Sequence, residues 1–189
     1  MELWAHFLEH KDEKTINTIS VTPMELGGYL RFKLVYIYVF AFISITIVLV
    51  GLKALATDVY LINGVKIFDN ISYLLIVEHA LVAAMFAPTL SLLQASLAHN
   101  KVEGFAVMKL TSMAALAPMI MALDSFSGYM QYLLGIFPNF WAIKAILLEF
   151  YPNSNTANLP FWGYMLGGII VNIILLIVFY KLFKKKITY

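Results

Sequence analysis

Apolar positions in this chain do not alternate; they run in blocks. Four blocks are long: about 34–52, 71–98, 105–123 and 159–180. A helix needs roughly 20 such residues to cross the hydrocarbon core of a bilayer. A fifth apolar stretch, YLLGIFPNFWAIKAILLEFY (132–151), is broken by Gly135 and Pro138. Short helices dipping into the outer leaflet, within about 126–151, suit that pattern better than a full crossing. Only one long polar run exists, EHKDEKTINTISVTP (9–23). The pattern predicts an all-α polytopic helical membrane protein with four transmembrane spans, an amphipathic helix on the cytoplasmic side and an outer re-entrant helix pair. Residues 1–22 form the amphipathic unit, and 23–189 the transmembrane domain.

Local signals place helix ends. Thr22-Pro-Met-Glu25 reads as a capping box with proline in the first helical position. Asn100-Lys-Val-Glu103 reads as a second box, making the link between the second and third spans a tight hairpin. Pro88 and Pro118 fall in mid-span, and each removes one helix hydrogen bond, so each predicts a kink. Winding 4–20 at about 100° per residue puts Trp4, Phe7, Leu8 and Ile19 on one stripe and Glu9 and Glu13 opposite. Lys11 interrupts the stripe.

Composition agrees with the blocks. Hydrophobic residues make up 61% and charged residues 13%, too few to cover a water-facing surface. There is no cysteine, so disulfides are excluded. The opening MELWAHFLEHKDEK carries acids early and has no apolar core, unlike a signal peptide. The 13 basic residues are informative by position. Lys11, Lys14, Arg31, Lys33, Lys101, Lys109, Lys181, Lys184, Lys185 and Lys186 fall on one side of a four-span layout. Lys53, Lys66 and Lys144 fall on the other. The basic-rich side is cytoplasmic, which puts both termini there. One arginine against twelve lysines points to an AT-rich, bacterial genome.

The stretch Glu13-Lys-Thr15-Ile16-Asn-Thr-Ile19-Ser-Val21-Thr22-Pro23, followed by a capped helix and a span, resembles the type-2 family of ABC exporter permeases. Their pattern is Glu, any, Thr, Leu, two residues, Leu, any, Val, Ser or Thr, Pro; here Ile16 and Ile19 stand where leucine is commoner. HNKVEGFAVMKL (99–110) is similar to the family's inner turn between its fourth and fifth spans. FPNFWAIKAIL (137–147) is similar to the element before its last span, in wording closest to fluoroquinolone-type drug exporters, and LFKKK closes the final span. The resemblance covers essentially the whole chain. It implies a six-span permease whose first two spans lie ahead of the charged segment, so the chain reads as N-terminally incomplete. It also implies that Glu9, Asp12, Glu13, Thr15, Ile16 and Ile19 form a coupling helix seated on a separate ABC ATPase subunit, with a second permease half completing the transporter. The plainer reading of 9–20 is an interfacial anchor with solvated charges.

No G-x-x-x-x-G-K-[ST] loop occurs, so any nucleotide belongs to a partner. No catalytic constellation, metal spacing or cofactor motif is present, and nothing points to nucleic acid. Inside the second span, Glu78 and His79 are costly at that depth and mark a candidate substrate path with Gln94. The alternative is structural contact, which is also the commoner use of Gln94 and Asn172. Gly163 and Gly167 form a G-x-x-x-G on the last span, suited to close helix packing. Met108, Met113, Met119 and Met121 cluster in the third span, where adaptable side chains suit apolar cargo or ordinary packing. Phe140, Trp141, Trp162 and Tyr164 fit an outer aromatic belt. The expected function is the permease subunit of an ATP-driven exporter moving an apolar or amphipathic substrate out of the cell. The alternative is an accessory or structural four-span protein without a transport path.

Overall fold

The computed structural model describes residues 26–55, 61–62, 65–66, 68, 71–98, 100–122, 128–150 and 159–187. The elements in chain order are α1 (Leu26–Leu55), β1 (Leu61–Ile62), β2 (Val65–Lys66), α2 (Tyr73–Ala83), α3 (Phe86–Leu97), α4 (Lys101–Ala115), a 3-10 segment (Ala117–Ala122), a second 3-10 segment (Gly128–Ile136), α5 (Phe140–Phe150) and α6 (Phe161–Ile187). The fold is helical apart from one two-rung antiparallel hairpin, in which Leu61 faces Lys66 and Ile62 faces Val65. The proposed capping box at 22–25 and the amphipathic helix lie outside the described residues.

Three helices are long and apolar enough to cross a membrane: Gly27–Leu55, Tyr73–Leu97 and Phe161–Lys186. Their surfaces say the same. Phe32, Phe40, Ile47 and Val48 on α1, and Trp162, Leu166, Ile170 and Ile174 on α6, are each more than half exposed. In water that area would be penalised at about 25 cal/mol per Å²; against lipid tails it is not.

Proline chemistry explains the interruptions. Pro88 cannot donate to the Ala84 carbonyl, and that carbonyl instead accepts from Ala87 N–H at 3.2 Å. The helix therefore breaks at Ala84–Met85, dividing one apolar run into α2 and α3. Pro118 acts likewise: α4 ends at Ala115, and Met119 N–H turns back to the Leu116 carbonyl at 2.9 Å in 3-10 geometry. The apolar block at 105–123 is thus a 15-residue α-helix plus a 3-10 turn, and it is not among the three long apolar helices.

α6 is the central post, packed chiefly on α3 and α5; α1 lies against α2 and α3, and α4 leans on α3. At one end of the bundle Leu30, Leu92, Ala95 and Phe183 cluster, bringing together the start of α1 and the ends of α3 and α6. At the other end Ile71, Ile76 and Ile146 pack with Leu49, Val50 and Phe150. The basic residues Arg31, Lys181, Lys184, Lys185 and Lys186 therefore gather at the first end, and Lys53 sits at the second, where its ammonium donates to the Phe68 carbonyl at 2.7 Å.

One expectation fails here. Phe140 and Tyr164 do not belong to a surface belt: both are completely buried, in a core with Val82, Leu134 and Met165. Only Trp162 of that group stands well exposed. Lys144, assigned by sequence to the outer side, is likewise buried, 5% exposed on α5. The cause is common to both: α5 is wedged between α2 and α6 and is an interior helix, so its residues are core.

Candidate functional site

The interior is stitched by a few amides and hydroxyls. Asn172, 1% exposed in mid-α6, joins three pieces of chain. Its Nδ2 donates to the Pro138 carbonyl at 3.2 Å and to Gly168 at 2.9 Å, while its Oδ1 accepts from the Thr89 hydroxyl of α3 at 3.1 Å. Asn139 Nδ2 donates to the Ala115 carbonyl at 2.6 Å, taking an acceptor that the 3-10 turn after α4 releases. These bonds fix the turn before α5 at the depth of Asn172. From Tyr132, whose hydroxyl lies 3.2 Å from that of Tyr164, the chain descends about two turns of α6 to Pro138, and α5 then rises to the Phe68–Phe150 contact.

Trp141 holds that descent in place. Its indole N–H donates to the Gly135 carbonyl at 2.9 Å, and its ring lies flat against Gly167, where a β-carbon would overlap it. A β-carbon at Gly168 would lie 3.0 Å from Val82 and 3.2 Å from the Trp141 β-carbon. Gly163 instead sits beside Leu159 and Pro160 of its own first turn. Both Gly135 and Gly167 leave room for one tryptophan, and that pairing has no local sequence signature.

Three cavities flank this frame. The first, about 1030 Å³, lies between α1, α3 and α6 at the basic end. The second, about 620 Å³, lies between α1, α3 and α4 and is lined by Ile37, Phe40, Ser91, Gln94, Met108 and Met113 among others. The third, about 210 Å³, lies between α2, the start of α3 and α5 and is lined by His79, Phe86 and Asn139 with apolar neighbours. Ligand pockets run from about 300 to 1,000 Å³, so the second fits a drug-sized guest and the third does not.

The expected site residues distribute unevenly over these spaces. Gln94 is buried and donates to the Thr111 hydroxyl at 2.8 Å, tying α3 to α4 at the wall of the 620 Å³ cavity. His79 is 6% exposed on the 210 Å³ cavity, with Nδ1 unpartnered among the described residues. Glu78 is half-buried and lines none of the three cavities. The structure therefore does not bring Glu78, His79 and Gln94 to one place. Met108 and Met113 do meet at the second cavity, whereas Met119 is exposed. Glu9, Asp12, Glu13, Thr15, Ile16 and Ile19 lie outside the described residues. Among the described residues no group of acids and histidines could hold a metal ion.

Residues 6–180 match the family described as fluoroquinolones export permease protein, Rv2686c-like. The chain belongs to that family. Neither a curated protein nor a solved structure matches it. Membership and the three long apolar helices make it a membrane protein of the transport-permease class.

Proposed function

We propose that this chain is the membrane-spanning subunit of an ATP-driven exporter that moves an amphipathic drug-like substrate outward, with ATP hydrolysed by a separate ATPase subunit. The observation that carries the reading is the family match over 6–180, a family named for fluoroquinolone export. The 620 Å³ cavity supplies what such cargo needs: an aromatic ring in Phe40, adaptable sulfurs in Met108 and Met113, and polar edges in Ser91, Gln94 and Lys109. It lies between three helices, so a relative motion of α1, α3 and α4 would change its volume.

In this reading α4 with its 3-10 continuation is the third of four crossings, and 128–150 is a re-entrant pair descending to Asn172 and returning. The basic end faces the cytoplasm, both termini with it. The acidic face of 9–20 docks on the ATPase, and closure of that subunit moves the rod and the start of α1 as a rigid body. A second permease half completes the transporter. Co-expression with an ABC ATPase from the same operon tests the partnership. The ATPase is expected to co-purify with the chain, and Glu9→Lys with Glu13→Lys to abolish the complex while membrane insertion is retained. An ATPase that stays bound to the doubly reversed chain overturns the docking role of 9–20.

A further inference from the structure

The 1030 Å³ groove at the basic end differs in architecture from the 620 Å³ cavity. Along α1 it runs from Gly27 and Arg31 to Tyr38; along α6 it runs from Lys184 to Leu176. The eleven helical steps from Gly27 to Tyr38 cover about 16 Å, and one leaflet of hydrocarbon is about 15 Å deep, half of a 30 Å core. The groove is therefore one leaflet long. Its cations, Arg31, Lys181 and Lys184, all stand at one end, and the described lining includes no acidic residue. The remainder is apolar, with Leu34, Leu92 and Leu176 on the walls and Pro88 deeper in. Its lips, Val35 at 60% and Ile177 at 51% exposure, face lipid, so the groove opens sideways into the bilayer.

Arg31 and Lys181 give its mouth a positive charge. Arg31 uses its Nε–H on the Gly27 carbonyl at 3.2 Å, and the described lining of the groove offers its two terminal amino groups no acidic partner. A free phosphate would satisfy them but would leave a leaflet-length apolar slot beside it. An anionic phospholipid satisfies both: its phosphodiester accepts from the guanidinium and the ammonium groups, and one acyl chain lies between α1, α3 and α6.

We infer that the groove between α1, α3 and α6 is a binding site for one anionic phospholipid of the adjoining leaflet, with Arg31 and Lys181 holding the headgroup. Its chemistry is distinct from that of the 620 Å³ cavity, which contains no cluster of cations.

The test extracts the chain from vesicles of equal phosphatidylglycerol and phosphatidylcholine content and counts retained lipid by native mass spectrometry. One phosphatidylglycerol per chain is expected, enriched about tenfold over phosphatidylcholine. Arg31→Gln with Lys181→Gln should remove the enrichment, and Lys53→Gln, the same kind of charge loss at the opposite end, should not. Val35→Trp, on the exposed lip, keeps every cation and narrows the slot; retention should fall here too. Millimolar glycerol phosphate should not displace the lipid. Equal retention of both lipids, enrichment that survives the double glutamine variant, or full displacement by glycerol phosphate overturns the proposal. Enrichment that survives Val35→Trp also overturns it, because the lipid would then be held by its headgroup alone.

Discussion

Single residues carry the interior. Asn172 bonds to Pro138, Gly168 and Thr89 at once. Asn172→Leu keeps the volume and removes the side-chain bond to the Pro138 carbonyl, while the Thr89 hydroxyl keeps its bond to the Met85 carbonyl at 2.8 Å, a loss of about 1 kcal/mol given the modest worth of such bonds in membranes. For a chain of this size that lowers Tm by roughly 2–4 °C, measurable by a thermal-shift assay in detergent. Gly167→Ala should cost more, about 1–3 kcal/mol, because the new methyl overlaps the Trp141 ring. Trp141→Phe in the same chain should recover part of that loss by shrinking the ring, although it also gives up the bond to Gly135. If the double variant is no more stable than Gly167→Ala alone, the ring is not the obstacle. What sequence offers at this scale is residue type without partner. Asn172 and Gln94 read correctly as polar groups that tie helices, but nothing near Asn172 in the chain points to Pro138. Glu78 and His79 look like a pair in sequence, yet a 100° step per residue sends neighbours to different faces, and only His79 reaches a cavity.

At the scale of elements, breaks were more legible than depth. Pro88 and Pro118 announce kinks, and the ladder shifts at Ala84 and Leu116 follow from the missing N–H. The Asn100 box is real in its first half: Asn100 Oδ1 accepts from Glu103 N–H at 2.8 Å, starting α4. The cap on the C-terminal end of α3 could not be foreseen. Lys186, from the far end of the chain, donates to the carbonyls of Ser96, Leu97 and Ala98 at 3.0, 2.9 and 2.7 Å. Three carbonyls left over by the end of a helix meet one cation there, which is also where the helix dipole is negative. Lys186→Met should release that end of α3. Opening of the last turn costs about 1–2 kcal/mol less, so amide exchange at 94–98 should quicken about 5- to 30-fold, read by hydrogen–deuterium exchange. Unchanged exchange there would show that the lysine adds nothing to the cap. The depth of α5 was not legible, because Gly135 and Pro138 mark a break in the apolar stretch without saying what packs against it. Its burial comes from Trp141 against Gly167, a contact 26 positions apart in the chain that no window of sequence contains.

For the whole molecule, apolar blocks and basic residues gave the class and the two ends of the bundle, since both are sums over many residues. They could not separate a continuous span from an α-helix finished by a 3-10 turn, as at 101–122. The absence of cysteine makes the layout directly testable. Single cysteines at Val102 and Lys185 should react with a membrane-impermeant maleimide only after permeabilisation, and cysteines at Leu55 and Leu159 should react in intact cells. Labelling of Val102→Cys from outside would invert α4. The account depends most on energy arriving from a partner chain. ATP-dependent uptake of a fluorescent fluoroquinolone into inside-out vesicles measures that directly. Vesicles holding both the permease and its ATPase should accumulate the drug only with ATP, and the Glu9→Lys, Glu13→Lys permease should not. Equal uptake without ATP, or with the permease alone, would contradict it.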